Sequence, residues 1–225
     1  AYDIRHLLLQ FNSHKLLHKN SPHSTGDRYV LVFFNTGRGD KDATVPLQYL
    51  PVATGARVER ARQTLLDVLH FTSLPTDRSN QATGDPHSKY GKRATHAQQW
   101  EQAPPLVLSF GVSTKGKQKA GKAPPLNANC VSQKYGLLYK VLLQYIDLLH
   151  PNLFSTSEPS ATYNAFIVAK NAQCVWHTDG RNSGHATLTA LGDFTGGGEL
   201  LVEADAGMCV CVCVCLCPRT QLNIS

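Results

Sequence analysis

The sequence predicts an α+β fold, with a jelly-roll core of short strands and helices flanking it. Two observations carry this. Short apolar runs recur between glycines and polar turns, as strands do, and two other stretches carry their apolar residues at helical spacing instead. Helices on one side of several short strands suggest an α+β or all-β jelly-roll core.

Residues 1–36 contain two strand-like runs around a turn. These are Leu7-Leu-Leu-Gln-Phe11 and Tyr29-Val-Leu-Val-Phe-Phe34, with Asn20, Ser21, Pro22 and Gly26 between them. Both are short and apolar, as buried sandwich strands are. Residues 37–102 turn to Gly, Asp, Ser and Thr and read as a linker with one helix. In that helix Val58, Ala61, Leu65, Val68 and Leu69 recur at helical spacing, with Glu59, Arg60 and Arg62 on the opposite face.

Residues 103–204 form the next block. Its first part, 103–125, is bounded by Pro-Pro pairs, carries Lys115, Lys117, Lys119 and Lys122 among glycines, and reads as a mobile basic loop. Leu138, Val141, Leu142, Tyr145 and Leu149 then make a helical stripe that Pro151 ends. Three strand-like runs follow: Tyr163–Lys170, Ala186–Leu191 and Glu199–Val202.

Residues 205–225 are a low-complexity tail. Five of the seven cysteines alternate with apolar residues there, from Cys209 to Cys217. In a strand all five would face one way, and a soft-metal cluster is one reading of them. The spacing fits no disulfide or zinc framework, and so simple a dipeptide repeat equally suits an unstructured or artefactual segment.

The net charge of +6 permits a nucleic-acid or other polyanionic partner without requiring one. No apolar run approaches the roughly 18 residues of a spanning helix, and the start, Ala1-Tyr-Asp-Ile-Arg, has no basic signal region and no initiator methionine. The expectation is a soluble chain, without secretory or transmembrane signal, that begins inside a larger product.

One short motif carries chemistry. His177 and Asp179 are two apart, so on an extended segment both side chains fall on one side while Thr178 points away. An imidazole and a carboxylate are two of the three ligands of the 2-His-1-carboxylate iron site, which leaves coordination positions open for cosubstrate and oxygen. His-x-Asp alone is a weak signal, equally suited to a solvated loop histidine. A third ligand and an arginine for the cosubstrate carboxylate are needed. After Asp179, His185 is too close in sequence and the tail has no histidine. The N-terminal block supplies histidines at 14, 18 and 23, a proline turn, Gly26-Asp-Arg28 and a buried strand.

These residues resemble the TET/JBP family of iron(II)- and 2-oxoglutarate-dependent nucleobase dioxygenases, in its compact algal, fungal and transposon-associated form. One matching segment is 127–203, through Tyr163-Asn-Ala-Phe-Ile-Val-Ala-Lys-Asn171, His177-x-Asp-x-x-Asn182 and Leu191-Gly-Asp-Phe-Thr-Gly-Gly-Gly-Glu-Leu200. The other is 1–36, through Tyr2-Asp-Ile-Arg, Leu17-His18, Pro22 and Gly26-Asp-Arg28-Tyr-Val-Leu-Val-Phe-Phe. The resemblance implies a double-stranded β-helix, with residues 1–36 as its C-terminal block and residues 103–204 as its N-terminal block. It implies that His177, Asp179 and His18 hold Fe(II), with His23 the alternative to His18, that Arg28 binds 2-oxoglutarate, and that Asn182 faces the substrate base. The implied reaction oxidises the methyl group of 5-methylcytosine or thymine in DNA, on a base flipped out of the stack, in the nucleus. The basic loop would then contact phosphates. Ascorbate is the cosubstrate in one branch of the family.

The blocks stand in the reverse of the family's order. Three arrangements account for that: a circularly permuted domain, with its break at an exposed loop; a slice of a tandem array completed between chains by a domain swap or self-complementation; and an incomplete or misassembled fragment, inactive except for nucleic-acid binding.

Overall fold

The computed structural model describes residues 4–36, 45–75, 106–112, 125–157, 162–172, 177–179 and 184–203. The described strands, in chain order, are β1 (Leu8–Phe11), β2 (His18–Asn20), β3 (His23–Thr25), β4 (Arg28–Phe34), β5 (Gln48–Leu50), β6 (Leu106–Gly111), β7 (Ala165–Lys170), β8 (Ala186–Gly192), β9 (Thr195–Gly197) and β10 (Leu200–Val202). The helices are α1 (Ala56–Phe71) and α2 (Gly136–Leu149). Among the described residues, no helix is long and apolar enough to cross a membrane.

Six strands form one antiparallel sheet in the order β5-β1-β8-β4-β7-β6, and two ribbons, β10-β2 and β3-β9, stand apart from it. The fold is mixed α+β and mostly antiparallel, and the sheet does not close into a barrel. The two sequence blocks interleave in it. β1 and β4 come from the first 36 residues, and β8, which lies between them, comes from the last block.

Period-two alternation sorts the side chains onto two faces. On one face Leu8, Leu31, Phe33, Leu108, Phe110, Phe166 and Val168 pack against Val58, Leu65 and Leu69 of α1 and Leu138, Leu142, Tyr145 and Leu149 of α2. The predicted helical stripes thus become the contact of the helix layer. On the other face Leu9, Phe11, Val30, Ala186, Leu188 and Ala190 meet Leu200 and Val202 of β10. Because β4 is covered on both sides, it reads as a nearly unbroken apolar run.

Three differences from the sequence expectation stand out. The stretch 103–125, read as a loop throughout, contains β6, an edge strand paired with β7 that buries Leu108 and Phe110. Prolines and lysines on either side hide its alternation, and the four lysines lie outside the described residues. β2 and β3 are also strands, although His-Lys-Asn and His-Ser-Thr carry no apolar pattern, because β10 and β9 supply their backbone partners. β5, the edge strand beside β1, lies in the segment read as linker.

Candidate metal centre

Strand pairing builds this site. His18 opens β2, directly opposite Val202 of β10, and on its other side faces His177 across an antiparallel bridge. His18 and His177 exchange backbone hydrogen bonds of 2.9 and 3.1 Å. Two residues on, the Asp179 N–H donates to the carbonyl of Ser13, at 2.8 Å. The Ser13 hydroxyl also hydrogen-bonds the Asp179 carboxylate. Residues far apart in sequence therefore meet through main-chain bonds, which leaves their side chains little freedom to separate.

The side chains converge. His18 Nε2 lies 3.6 Å from Asp179 Oδ2 and His177 Nε2 lies 3.5 Å from Asp179 Oδ1. One ligand atom from each of the three falls within 4.8 Å of the others. Ligands about 2.1 Å from one first-row ion are about 3 Å apart when adjacent, so a small contraction brings the cluster onto a common ion. His18 is buried, while His177 and Asp179 are partly open, as an accessible site requires.

Protonation states suit the same role. His18 Nδ1 lies 3.0 Å from the Leu16 carbonyl, which can only accept, so Nδ1 carries the proton and Nε2 presents its lone pair to the cluster. An imidazole whose second nitrogen is held by a carbonyl is the usual supporting arrangement of a metal-ligating histidine. Burial, joined by repulsion from His177, holds the His18 pKa below its ordinary value and favours the neutral, ligating form. For Asp179 burial alone would raise the carboxyl. Its hydrogen bonds with His177 and Ser13, with the two imidazoles close by, outweigh it, and the group is held below its ordinary value. The edge of the Phe11 ring, 4.9 Å away, closes the back of His18.

A cavity of about 200 Å³ opens beside the three residues. His18, His177, Asp179 and Asn20 line its polar side, and Val32, Phe34, Ile167, Leu188 and Leu200 line the rest.

Arg28 is fully buried at the start of β4. Its guanidinium donates to the carbonyls of Ser21, at 3.1 Å, and Ala172, while the Asp27 carboxylate is held by Lys170, at 2.7 Å, and Asn171, at 2.9 Å. Among the described residues lining the cavity Arg28 is absent. His23 sits on β3, its Nε2 donating to the Gly26 carbonyl at 3.2 Å and its ring edge-on to Phe194; of the two candidate histidines, His18 joins the cluster. His185 lies against Tyr163 instead. Asn182 lies outside the described residues. Two residues that sequence reasoning missed, Ser13 and Asn20, are ordinary polar residues in a turn and a short strand, and only the pairing of distant segments marks them.

Compared with known proteins, the chain matches no family model, no curated protein and no solved structure.

Proposed function

We propose that the chain is an Fe(II)- and 2-oxoglutarate-dependent dioxygenase of the TET/JBP kind, oxidising the methyl group of 5-methylcytosine or thymine in DNA. The observation that carries this reading is the convergence of His18, His177 and Asp179 within a single chain. Two imidazoles and a carboxylate, with one side open, suit iron(II) that must admit cosubstrate and oxygen. The layering of the six-stranded sheet against the β10-β2 ribbon supports a jelly-roll core in permuted order. The meeting of the two blocks in one sheet favours permutation over completion by a second chain.

Bound iron would supply oxygen activation coupled to decarboxylation of 2-oxoglutarate, which the side chains themselves cannot perform. The protein's part is to hold and orient. His18, His177 and Asp179 ligate, the Leu16 carbonyl keeps His18 in its ligating tautomer, and Ser13 fixes Asp179. The apolar wall of Val32, Phe34, Leu188 and Leu200 keeps water from the reacting region. By the resemblance Asn182 is assigned to the flipped base and the lysines of 115–122 to DNA phosphates; Arg28, assigned by the same resemblance to the far carboxylate of 2-oxoglutarate, would have to exchange its hydrogen bonds to the Ser21 and Ala172 carbonyls to reach it.

The test is an iron(II) titration of the intact chain followed by turnover on 5-methylcytosine DNA with 2-oxoglutarate. Stoichiometric binding that disappears in His177→Ala and in His18→Ala, with hydroxymethyl product in the wild type, supports the reading. A wild-type chain that takes up no iron sinks it.

A further inference from the structure

We infer that Asn12 is a positioning residue of the metal centre: by capping the turn between β1 and β2 it holds in place the groups that orient both His18 and Asp179. This rests on the metal-centre reading and adds the residue on which the aim of two of its three ligands depends. The turn reaches both ligands. Its Leu16 carbonyl takes the His18 Nδ1–H, at 3.0 Å. Its Ser13 takes the Asp179 N–H on the carbonyl, at 2.8 Å, and meets the carboxylate with the hydroxyl. The His14 N–H donates to the Gly184 carbonyl, at 3.4 Å, so the turn holds the chain at Asp179 and again at Gly184.

What keeps the turn in shape is Asn12. Its Oδ1 accepts the Lys15 N–H, at 3.1 Å, and its carbonyl accepts the N–H groups of Lys15, at 3.2 Å, and Leu16, at 2.9 Å. A side-chain oxygen on the N–H three residues ahead, with the carbonyl on the N–H four ahead, is the N-cap arrangement of a helix, here confined to one turn. A single turn is too short to hold itself together, so the cap carries much of its order. Asn12 is buried, and water competes little for these bonds.

Leu16 links the cap to the ligand, because its N–H answers to Asn12 and its carbonyl to His18. In water a neutral histidine favours the proton on Nε2, the atom that His18 must keep bare to bind a metal. The Leu16 carbonyl reverses that preference only while the turn keeps it within reach of Nδ1.

The experiment compares the intact chain with Asn12→Ala and Asn12→Ser. Serine offers the turn a weaker acceptor and adds no charge. One readout is the His18 tautomer in the metal-free chain, from its ring nitrogen chemical shifts at about pH 8, above the ordinary histidine pKa. The other is iron(II) affinity by anaerobic calorimetric titration. In the wild type His18 is expected to carry its proton on Nδ1. In Asn12→Ala part of that population moves to Nε2 and iron(II) affinity falls about tenfold, the low end of what losing an outer partner of a ligand costs. Asn12→Ser is expected to fall between the two in both readouts. His23, whose Nε2 donates to the Gly26 carbonyl, lies outside the turn and should keep its tautomer in every variant.

An unchanged His18 tautomer or an unchanged iron(II) affinity in Asn12→Ala overturns the inference. So does an equal shift of His18 and His23, which would make Asn12 a residue of general stability. Should Asn12→Ala not fold, Asn12→Ser decides: wild-type values overturn the inference and intermediate ones support it. A wild-type chain that takes up no iron fails the metal-centre reading instead, and the His18 tautomer alone then tests Asn12.

Discussion

His18 and His177, one near the start of the sequence and one near its end, lie opposite each other on neighbouring extended segments with their rings 4.2 Å apart. Their backbones exchange hydrogen bonds of 2.9 and 3.1 Å, so the pairing belongs to the main chain and does not depend on a bound ion. A cluster preformed in this way would take up a metal without first ordering two segments.

Each of the three cluster residues is therefore expected to matter separately for metal and little for folding. His18→Ala, His177→Ala and Asp179→Ala should each weaken iron(II) binding by at least about 100-fold, beyond what loss of a supporting contact does. The strand pairing in which they sit should persist. Calorimetric titration reads the first expectation and far-ultraviolet circular dichroism the second. Tight iron binding by His18→Ala would show that the cluster is not the site.

Ser13 should act through Asp179. Its carbonyl takes the Asp179 N–H and its hydroxyl the carboxylate. Ser13→Ala keeps the first bond and loses the second. The expected result is a 10- to 100-fold loss of metal affinity, roughly the effect of removing an outer-shell partner. Ser13→Thr, which retains the hydroxyl, should recover part of it. An Ala variant with wild-type affinity would remove Ser13 from the site.

The pH dependence of stability should carry a mark of His185. Burial holds its pKa below the ordinary histidine value, about 6.5. The unfolded chain therefore takes up a proton first as pH falls, so stability is full above 6.5 and is lost as pH drops through 6.5 toward the folded value. In urea unfolding of the metal-free chain at pH 7.5 and 5.5, His185→Gln should lose less stability than the wild type between the two. Equal losses would contradict the assignment.

Gly192 ends β8 opposite Arg28 with φ +126°, and a Cβ placed there would sit 1.9 Å from the Asp27 carbonyl oxygen. The neighbour is backbone and cannot swing aside. Gly192→Ala should cost about 2–4 kcal/mol of stability through clash and strain together, measured by chemical denaturation. Because β4 leads from this point into the sheet, a disturbed start would also move Arg28. A variant as stable as the wild type would mean that the two strand ends are not held as described.

Much of the fold was legible in the chain's patterning. The α2 stripe from Leu138 to Leu149 and the runs in β1, β4, β7 and β8 are apolar enough that burial alone assigns them. β6 was not legible: six residues between prolines and lysines look like loop until β7 offers its hydrogen bonds. β2 and β3 were not legible either, because polar residues form strands only where a partner is already in place.

By itself the sequence determined which residues could ligate, that His177 and Asp179 would share a side, and where the helices and central strands lie. Residue type and local periodicity carry that information. Only the tertiary structure decided that His18 and not His23 stands beside them, that Ser13 holds Asp179, and that Asn20 lines the cavity next to them. Those relations depend on which distant strands pair and in what register. Pairing is a property of main-chain hydrogen bonds and of burial summed over the whole sheet, and a short segment read alone carries neither.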